Sequence, residues 1–270
     1  MSDVVVITGA GGMGLAIARR LAGGRRTVLA DFSEPTLTSA AELLRGEGHD
    51  ITTRVLDVSE RDSVAELAGA AAALGRVTHV AHTAGVSPAQ APAETVLRVN
   101  LLGVALVLDE FARVIAPGGA GVVIASMAGH LPLELTFEQQ HALATAPAAE
   151  LLGLPFLTAV TSAQLAYPMS KRANALRVQA AASTWGRRGA RINSISPGVV
   201  ATAMGRAELD GPSGDMVRAL IARSGTGRIG TPDDIADAAA FLLGPQAGFI
   251  TGTDLLADGG AVAATRFPPD

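Results

Sequence analysis

Short runs of β-branched and apolar residues alternate with longer Ala/Leu-rich segments of helical period along almost the whole chain. Val4–Thr8 reads as a near-continuous apolar strand, followed by a glycine-rich turn and a helix to Leu21. The strand pattern recurs at Thr27–Ala30, Ile51–Leu56, Thr78–Ala81, Gly121–Ala125, Arg191–Ile195 and Asp254–Ala257. Helical patterns lie between them at Pro35–Leu44, from Ser59 or Asp62 to Leu74, and at Ala93–Val114, Ala166–Trp185 and Pro232–Leu243. Ser33 is placed to cap the second helix, Ser59 or Asp62 the third, and Pro232 stands in a first helical turn. Strands that are apolar on both faces and alternate with helices predict a parallel sheet covered on both sides, an α/β fold. No composition break or repeat divides the chain, so one domain over 1–270 is expected.

Composition narrows the function classes. The 270 residues are 49% hydrophobic with a net charge of −4, and the arginines are scattered, which argues against a nucleic-acid groove or a polybasic membrane patch. The absence of cysteine excludes disulfides, thiolate metal sites and a cysteine nucleophile. Residues 114–133 and 151–170 carry no Asp, Glu, Lys or Arg, but proline, glycine and polar residues interrupt both, so they read as core rather than membrane spans. The first residues lack the positive region of a signal peptide. A soluble cytoplasmic protein acting on a small molecule is the expectation. His49, His79, His130 and His141 show no metal-ligand spacing, and no metal is expected.

The first turn reads Thr8-Gly9-Ala10-Gly11-Gly12-Met13-Gly14, directly after a strand and opening a helix. Gly9, Gly11 and Gly14 satisfy the G-x-G-x-x-G spacing that lets backbone approach a pyrophosphate at a helix N-terminus. Asp31 ends the second strand, where a carboxylate binds adenosine ribose hydroxyls. The alternative is a ligand-free glycine turn and an Asp that merely ends a strand. A carboxylate repels a 2′-phosphate, Phe32 rather than an arginine follows it, and the glycine turn holds no basic residue. NAD(H) is therefore favoured over NADP(H).

Further along stand Val99-Asn100 in the fourth helix, Ser126 after the fifth strand, and Tyr167-Pro-Met-Ser-Lys171. Pro197-Gly198 with Thr202, and Asp258-Gly259-Gly260 after the last strand, complete the set. With the glycine turn, these elements resemble the short-chain dehydrogenase/reductase family over nearly the full length. The resemblance implies a Rossmann-type, doubly wound parallel sheet of seven strands with helices on both faces. It implies that Tyr167 is the acid/base and that Ser126 hydrogen-bonds the substrate oxygen. Lys171 then tunes Tyr167, and Asn100 holds a water linking Lys171 to solvent. Implied cofactor contacts are Gly9, Gly11, Gly12, Met13, Gly14, Asp31, Phe32, Asp57, Val58, Ala84, Gly85, Tyr167, Lys171, Pro197, Gly198, Val200 and Thr202. Asp57 could equally cap the next helix, and His82 reads as structural. The chain holds one tyrosine, and of its 21 basic residues only Lys171 is a lysine, four positions later. At i,i+4 the two share a helix face, where an ammonium and an oxidised nicotinamide would favour the phenolate.

Two departures from the family pattern matter. The glycine turn is one residue shorter than T-G-x-x-x-G-x-G, leaving open which glycine does which job. Forty residues separate Ser126 from Tyr167, where the family has about a dozen; the surplus lies at 130–161 and contains helix-compatible Phe137–Ala144 and Ala148–Leu154. Its apolar residues Leu131, Leu133, Leu135, Phe137, Leu151, Leu152, Leu154, Phe156 and Leu157 could line a substrate pocket, reshape an interface or pack a core. Bacterial hydroxysteroid dehydrogenases and carbonyl reductases of the family carry a similar enlargement, and Leu97–Gly103, Ala182–Ala190 and Gly227–Leu243 resemble them too. A steroid or other bulky apolar secondary alcohol or ketone is the first reading of the substrate. A 3-oxoacyl thioester reductase and a non-catalytic dinucleotide sensor are the alternatives. A homodimer or homotetramer is expected from the resemblance.

Overall fold

A computed structural model describes residues 2–267. Seven parallel strands form one sheet in the order β3-β2-β1-β4-β5-β6-β7. They are β1 (Asp3–Thr8), β2 (Arg26–Asp31), β3 (Asp50–Val55), β4 (Arg76–His82), β5 (Ile115–Ile124), β6 (Arg191–Pro197) and β7 (Asp254–Ala257). Alternate residues of each strand face opposite apolar layers, as the two-residue period requires. Val4, Val6, Val28, Val80 and Val123 join one core, and Val5, Ile7, Leu29, Val122 and Ile124 join the other. The second layer is closed by α1 (Gly12–Leu21), α2 (Glu34–Gly46) and α12 (Pro232–Leu243), which bury Ile17, Leu44 and Ile235. The first is closed by α3 (Arg61–Leu74), α4 (Ala93–Leu97), α5 (Gly103–Val114) and α9 (Ala163–Gly186), through Leu67, Val96, Phe111 and Trp185. Trp185 also donates its indole N–H to the Leu108 carbonyl at 3.2 Å, tying α9 to α5.

Several expectations need correction. Ser33 caps α2 by accepting from Thr36 N, as the sequence suggests. Neither Ser59 nor Asp62 caps α3: its N-cap is Glu60, with no side-chain cap bond. Ser59 is unavailable because its N–H and hydroxyl both donate to Asp57 Oδ1, at 2.9 and 2.8 Å. The helix read over Ala93–Val114 contains a π-helical turn, Arg98–Leu102, between α4 and α5. Strand β5 begins earlier than expected, with its register against β4 shifted between Val77 and His79.

The surplus segment folds as α6 (Phe137–Thr145), α7 (Ala148–Leu151) and α8 (Pro155–Thr158). Thr136 and Gln139 form a reciprocal capping box at the start of α6. Leu143, Leu151 and Leu157 are fully buried in the same core as Leu101 and Phe111, and Leu133, Leu135, Leu152, Leu154 and Phe156 pack partly buried against it. Leu131 is partly buried, whereas Phe137 is exposed. Core packing thus accounts for much of the segment's apolar content. On α9, buried Arg177 donates to Leu143 O at 2.9 Å and Ala146 O at 3.1 Å, satisfying carbonyls at the C-terminal end of α6. Arg177→Ala is expected to cost about 3 kcal/mol, because charged hydrogen bonds are lost and buried carbonyls are left bare. Urea denaturation tests this, and an unchanged midpoint would show that Arg177 does not clamp the segment.

Three further helices escaped the sequence pattern: α10 (Ala203–Asp210), α11 (Gly214–Arg223) and α13 (Ala261–Arg266). Gly205, Gly211, Pro212 and Gly214 interrupt the periodicity of the first two. Among the described residues, no helix is long and apolar enough to cross a membrane.

Candidate active site

The chain runs outward from β1 through β2 to β3 and then crosses back to place β4 on the other side of β1, so a crevice opens at the C-terminal end of β1. The glycine turn lines it, and each glycine has a distinct reason. Gly9 has φ +91°, and a Cβ there would sit 2.6 Å from Thr83 Oγ1 and 2.7 Å from Ala84 N. At Gly14 a Cβ would lie 1.8 Å from Gly9 O, so this glycine lets α1 press onto the strand end. Gly12 faces the Thr202 methyl, at 3.1 Å from a notional Cβ. Around Gly11 nothing lies within 4 Å. Gly11 is also the N-cap of α1, with no side-chain cap bond and no acid in the first turn. The helix therefore presents uncapped N–H groups and its positive end to an open cradle, which fits a pyrophosphate.

Asp31 is fixed beside this cradle. Its Oδ2 accepts from Ala10 N at 2.6 Å and its Oδ1 from Ser33 N at 2.8 Å, and each oxygen keeps acceptor capacity for a hydroxyl. Phe32 is 74% exposed. Asp57 is occupied on one oxygen by Ser59, while Val58 is buried against Gly103, where a Cβ would approach Val58 Cγ2 to 2.9 Å.

One strand further, α9 brings Tyr167 and Lys171 to the end of β5. The Lys171 Nζ lies 5.6 Å from the Tyr167 ring centroid and donates to Ile124 O at 3.1 Å. Ser126 follows β5 in extended conformation and accepts from Ala128 N at 3.1 Å, which caps the short helical turn Met127–His130. That turn is pressed on α9: a Cβ on Gly129 would lie 2.8 Å from Arg172 N. The Ser126 hydroxyl hydrogen remains free to face the Tyr167 phenol.

Asn100 stands in the π-turn, fully buried. Its Oδ1 accepts from Val86 N at 2.9 Å and its Nδ2 donates to Val86 O at 2.8 Å, so the side chain pins the loop after β4. Gly85 on that loop passes between Asn100 and Lys171, a notional Cβ being 3.1 Å from Asn100 Oδ1 and 3.6 Å from Lys171 Nζ. His82 is structural in its contacts, with Nδ1 2.6 Å from Thr8 Oγ1. Burial, and then the Lys171 charge, push its pKa down to about 3, so the imidazole is neutral.

Without a bound dinucleotide, burial dominates the electrostatics of this pair. Burial pushes the Tyr167 phenol up to about 12, against the opposing pull of the Ser126 hydroxyl. The ammonium does not reverse this, because its Nζ turns toward Ile124 O and is itself lowered to about 8 by burial. Desolvation therefore outweighs the pairwise attraction, and the phenolate requires further positive charge. Lys171→Met is expected to raise the thermal midpoint of the ligand-free protein at pH 7, since a buried ammonium with one hydrogen bond is replaced by an apolar chain. A lowered midpoint would show that the lysine stabilises the fold.

On the far side of the crevice, Gly198 has no room for a side chain, a Cβ being 2.7 Å from Asp258 Cα. Val200 is buried, and Thr202 caps α10 by accepting from Gly205 N at 3.1 Å. A cavity of about 230 Å³ lies behind this loop, walled by Val200, Leu220, Ile221, Ile235 and Asp258. Among the described residues no group of three or more His, Asp or Glu could hold a metal ion.

Known proteins resemble this chain over nearly its full length. The family model described as short chain dehydrogenase matches residues 3–137, and one described as Enoyl-(Acyl carrier protein) reductase matches 151–262. A short-chain dehydrogenase/reductase of Alternaria brassicicola is 42% identical, covering 97% of this chain and 96% of the relative. The chain belongs to the short-chain dehydrogenase/reductase family. It is an oxidoreductase of the kind that acts on CH–OH groups. The D-threitol dehydrogenase of Mycolicibacterium smegmatis is 33% identical over 95% of this chain and 92% of its own. Among solved structures, the 3-alpha-hydroxysteroid dehydrogenase of a Pseudomonas species complexed with NADH aligns with TM-score 0.80 and 28% identity, covering 99% of this chain and 100% of that one. The seven-stranded, helix-flanked sheet expected from the sequence is thus the family architecture.

Proposed function

We propose that this short-chain dehydrogenase/reductase is an NAD(H)-dependent enzyme interconverting a secondary alcohol and a ketone, with Tyr167 as acid/base. The observation that carries the reading is the meeting of the Tyr167 phenol, the Ser126 hydroxyl and Lys171 at the end of β5, beside an uncapped glycine turn. When bound, the nicotinamide dinucleotide accepts or supplies the hydride. Backbone N–H groups of Gly11, Gly12, Met13 and Gly14 would receive the pyrophosphate, Gly9, whose N–H is donated to Ala30 O at 2.7 Å, would shape the turn beneath it, and Asp31 would accept from the ribose hydroxyls. Phe32, Asp57 and Val58 border the adenine side. Ala84 and Gly85 would hold the middle of the cofactor, and Pro197, Gly198, Val200 and Thr202 its nicotinamide end.

The Tyr167 O–H donates its proton to a substrate carbonyl in reduction and, as phenolate, takes the alcohol proton in oxidation. Ser126 donates a hydrogen bond to the same oxygen as charge develops on it. Asn100 orders the loop beside Lys171. Because the phenol is raised, kcat/KM for oxidation is expected to climb with pH through the alkaline range while that for reduction declines. Equal pH profiles in both directions would count against Tyr167 as the titrating group.

The NAD(H) preference rests on Asp31, whose carboxylate stands where a 2′-phosphate would have to sit, with no arginine in the glycine turn. Asp31→Ser is expected to tighten NADPH relative to NADH by about tenfold or more, as removal of one charge repulsion at a few ångströms allows. Fluorescence titration of both cofactors tests it, and tighter binding of NADPH by the native protein would overturn the preference. A bulky, largely apolar substrate body is supported by the hydroxysteroid dehydrogenase likeness. A homo-oligomer is supported by the free edge of β7, where Leu255 is exposed.

A further inference from the structure

Ser126 stands at a point that the local chain cannot hold in place. It is the N-cap of a helical turn of 4 residues, Met127–His130, and so short a turn has no stability of its own. On the entry side the sheet anchors it, where Ala125 N donates to Ile195 O at 2.7 Å. On the exit side the chain runs into the surplus segment, and α9 does not begin until Ala163. That end must be held by contacts rather than by a short link. Gly129 is pressed on α9, where a Cβ would come within 2.8 Å of both the Lys171 carbonyl carbon and Arg172 N. Arg172 donates to the Gly129 and Leu131 carbonyls, and Arg266 of α13 donates to the His130 carbonyl at 3.0 Å.

The remaining anchor is a side chain. His130 Nε2 meets Asp254 Oδ2 of β7 at 2.7 Å. A carboxylate only accepts, so Nε2 carries the hydrogen at this contact. The Asp254 side chain is 8% exposed, and its other oxygen accepts from the Ser194 hydroxyl of β6. Burying a carboxylate is costly unless donors meet it, so Asp254 holds the imidazole in place. Ser126 is in turn bonded to the turn at two points. Its hydroxyl accepts from Ala128 N at 3.1 Å and its carbonyl from Gly129 N at 3.0 Å.

We propose that His130 is a positioning residue, whose hydrogen bond to Asp254 fixes the far end of the Met127–His130 turn to β7 and so keeps the Ser126 hydroxyl in place for the reaction. This rests on the reaction proposed above and deepens it, by naming what holds the hydroxyl that binds the substrate oxygen. In this role His130 acts through Ser126 rather than on the substrate itself.

The test compares His130→Leu, which removes the donor, with His130→Gln, whose amide N–H can still reach Asp254, and with the double variant His130→Leu/Asp254→Asn. Turnover is measured with NAD and the best-oxidised member of a panel of secondary alcohols. In His130→Leu, kcat is expected to fall about tenfold while NADH affinity stays within about twofold, the scale of a displaced rather than deleted oxyanion donor. His130→Gln should stay within about threefold of native, because the hydrogen bond survives. Leucine alone strands a nearly buried charge and should lower the thermal midpoint. Asparagine removes that charge, so the double variant should regain the midpoint while kcat stays low. Recovery of kcat together with the midpoint would mean that the pair serves stability alone, and would overturn the proposal. So would equal losses in the leucine and glutamine variants. Amide exchange of the ligand-free protein reads the turn directly: the N–H groups of Ala128 and Gly129 should exchange about tenfold faster in His130→Leu than in native, and unchanged exchange would also overturn the proposal. Failure of the native protein to oxidise any secondary alcohol would instead sink the proposed reaction, while exchange would still decide whether His130 holds the turn.

Discussion

Tyr167→Phe is expected to lower kcat about a thousandfold and to leave NADH binding within about twofold of native, the range that loss of a positioned acid/base spans. Phenylalanine fills the same volume, so the ring's packing against the first core layer persists and only the hydroxyl leaves. Nothing nearby can replace it. Ser126 offers a hydroxyl of much higher pKa, His82 is buried with its Nδ1 on Thr8, and Lys171 Nζ is turned to Ile124 O. Because the lost interaction belongs to the proton-transfer step, kcat and kcat/KM should fall together with KM little changed. Steady-state kinetics beside a fluorescence titration of NADH separate the two effects. Residual turnover above a tenth of native would remove Tyr167 from the proton-transfer role.

Gly14→Ala carries the second largest expectation. A methyl there would begin 1.8 Å from Gly9 O and 2.8 Å from Thr83 Oγ1, so α1 must back away from the end of β1. The carbonyl is backbone in a turn whose Gly9 already has φ +91°, and it has little freedom to yield. A loss of about 3 kcal/mol or more is expected, as for overpacking that forces backbone to move, with NADH binding lost as the cradle opens. Gly11→Ala is the contrast. Nothing lies within 4 Å of its Cβ, so the fold should lose no more than about 1 kcal/mol, the scale of a weaker N-cap. The methyl would nevertheless occupy the space proposed for the pyrophosphate, and NADH affinity should fall about tenfold, or roughly 1.4 kcal/mol. Urea denaturation and cofactor titration on the two variants read both quantities. If Gly14→Ala unfolds at the native midpoint, or Gly11→Ala binds NADH as tightly as native, the assigned roles of the glycines are wrong.

Much of the architecture is legible along the chain because it depends on local period. Val4–Ile7 and Val28–Ala30 are apolar at every step, and both lie in buried strands whose ends fall within a residue or two of the sequence pattern. Where local signals compete, the reading slipped. Ser59 looks like a cap for α3, yet its hydroxyl and N–H both go to Asp57, a contact two residues away that outcompetes the helix end. Helices α10 and α11 hid behind Gly205, Gly211, Pro212 and Gly214, since breakers suppress the periodicity even when tertiary packing restores the helix.

By itself the sequence determined the sheet's alternation with helices, the glycine turn ahead of α1, Asp31 at the end of β2, and the lone tyrosine and lysine four residues apart. These are properties of neighbours in the chain, where spacing and residue type are enough. Only the tertiary structure decided that Gly14 rather than Gly11 bears the close approach, that Arg177 ties the surplus helices to α9, and that Tyr167 sits high in pKa despite its lysine. Each of those depends on how much water and which atoms remain around a group once distant segments close over it, and desolvation of that kind has no period to read along a sequence.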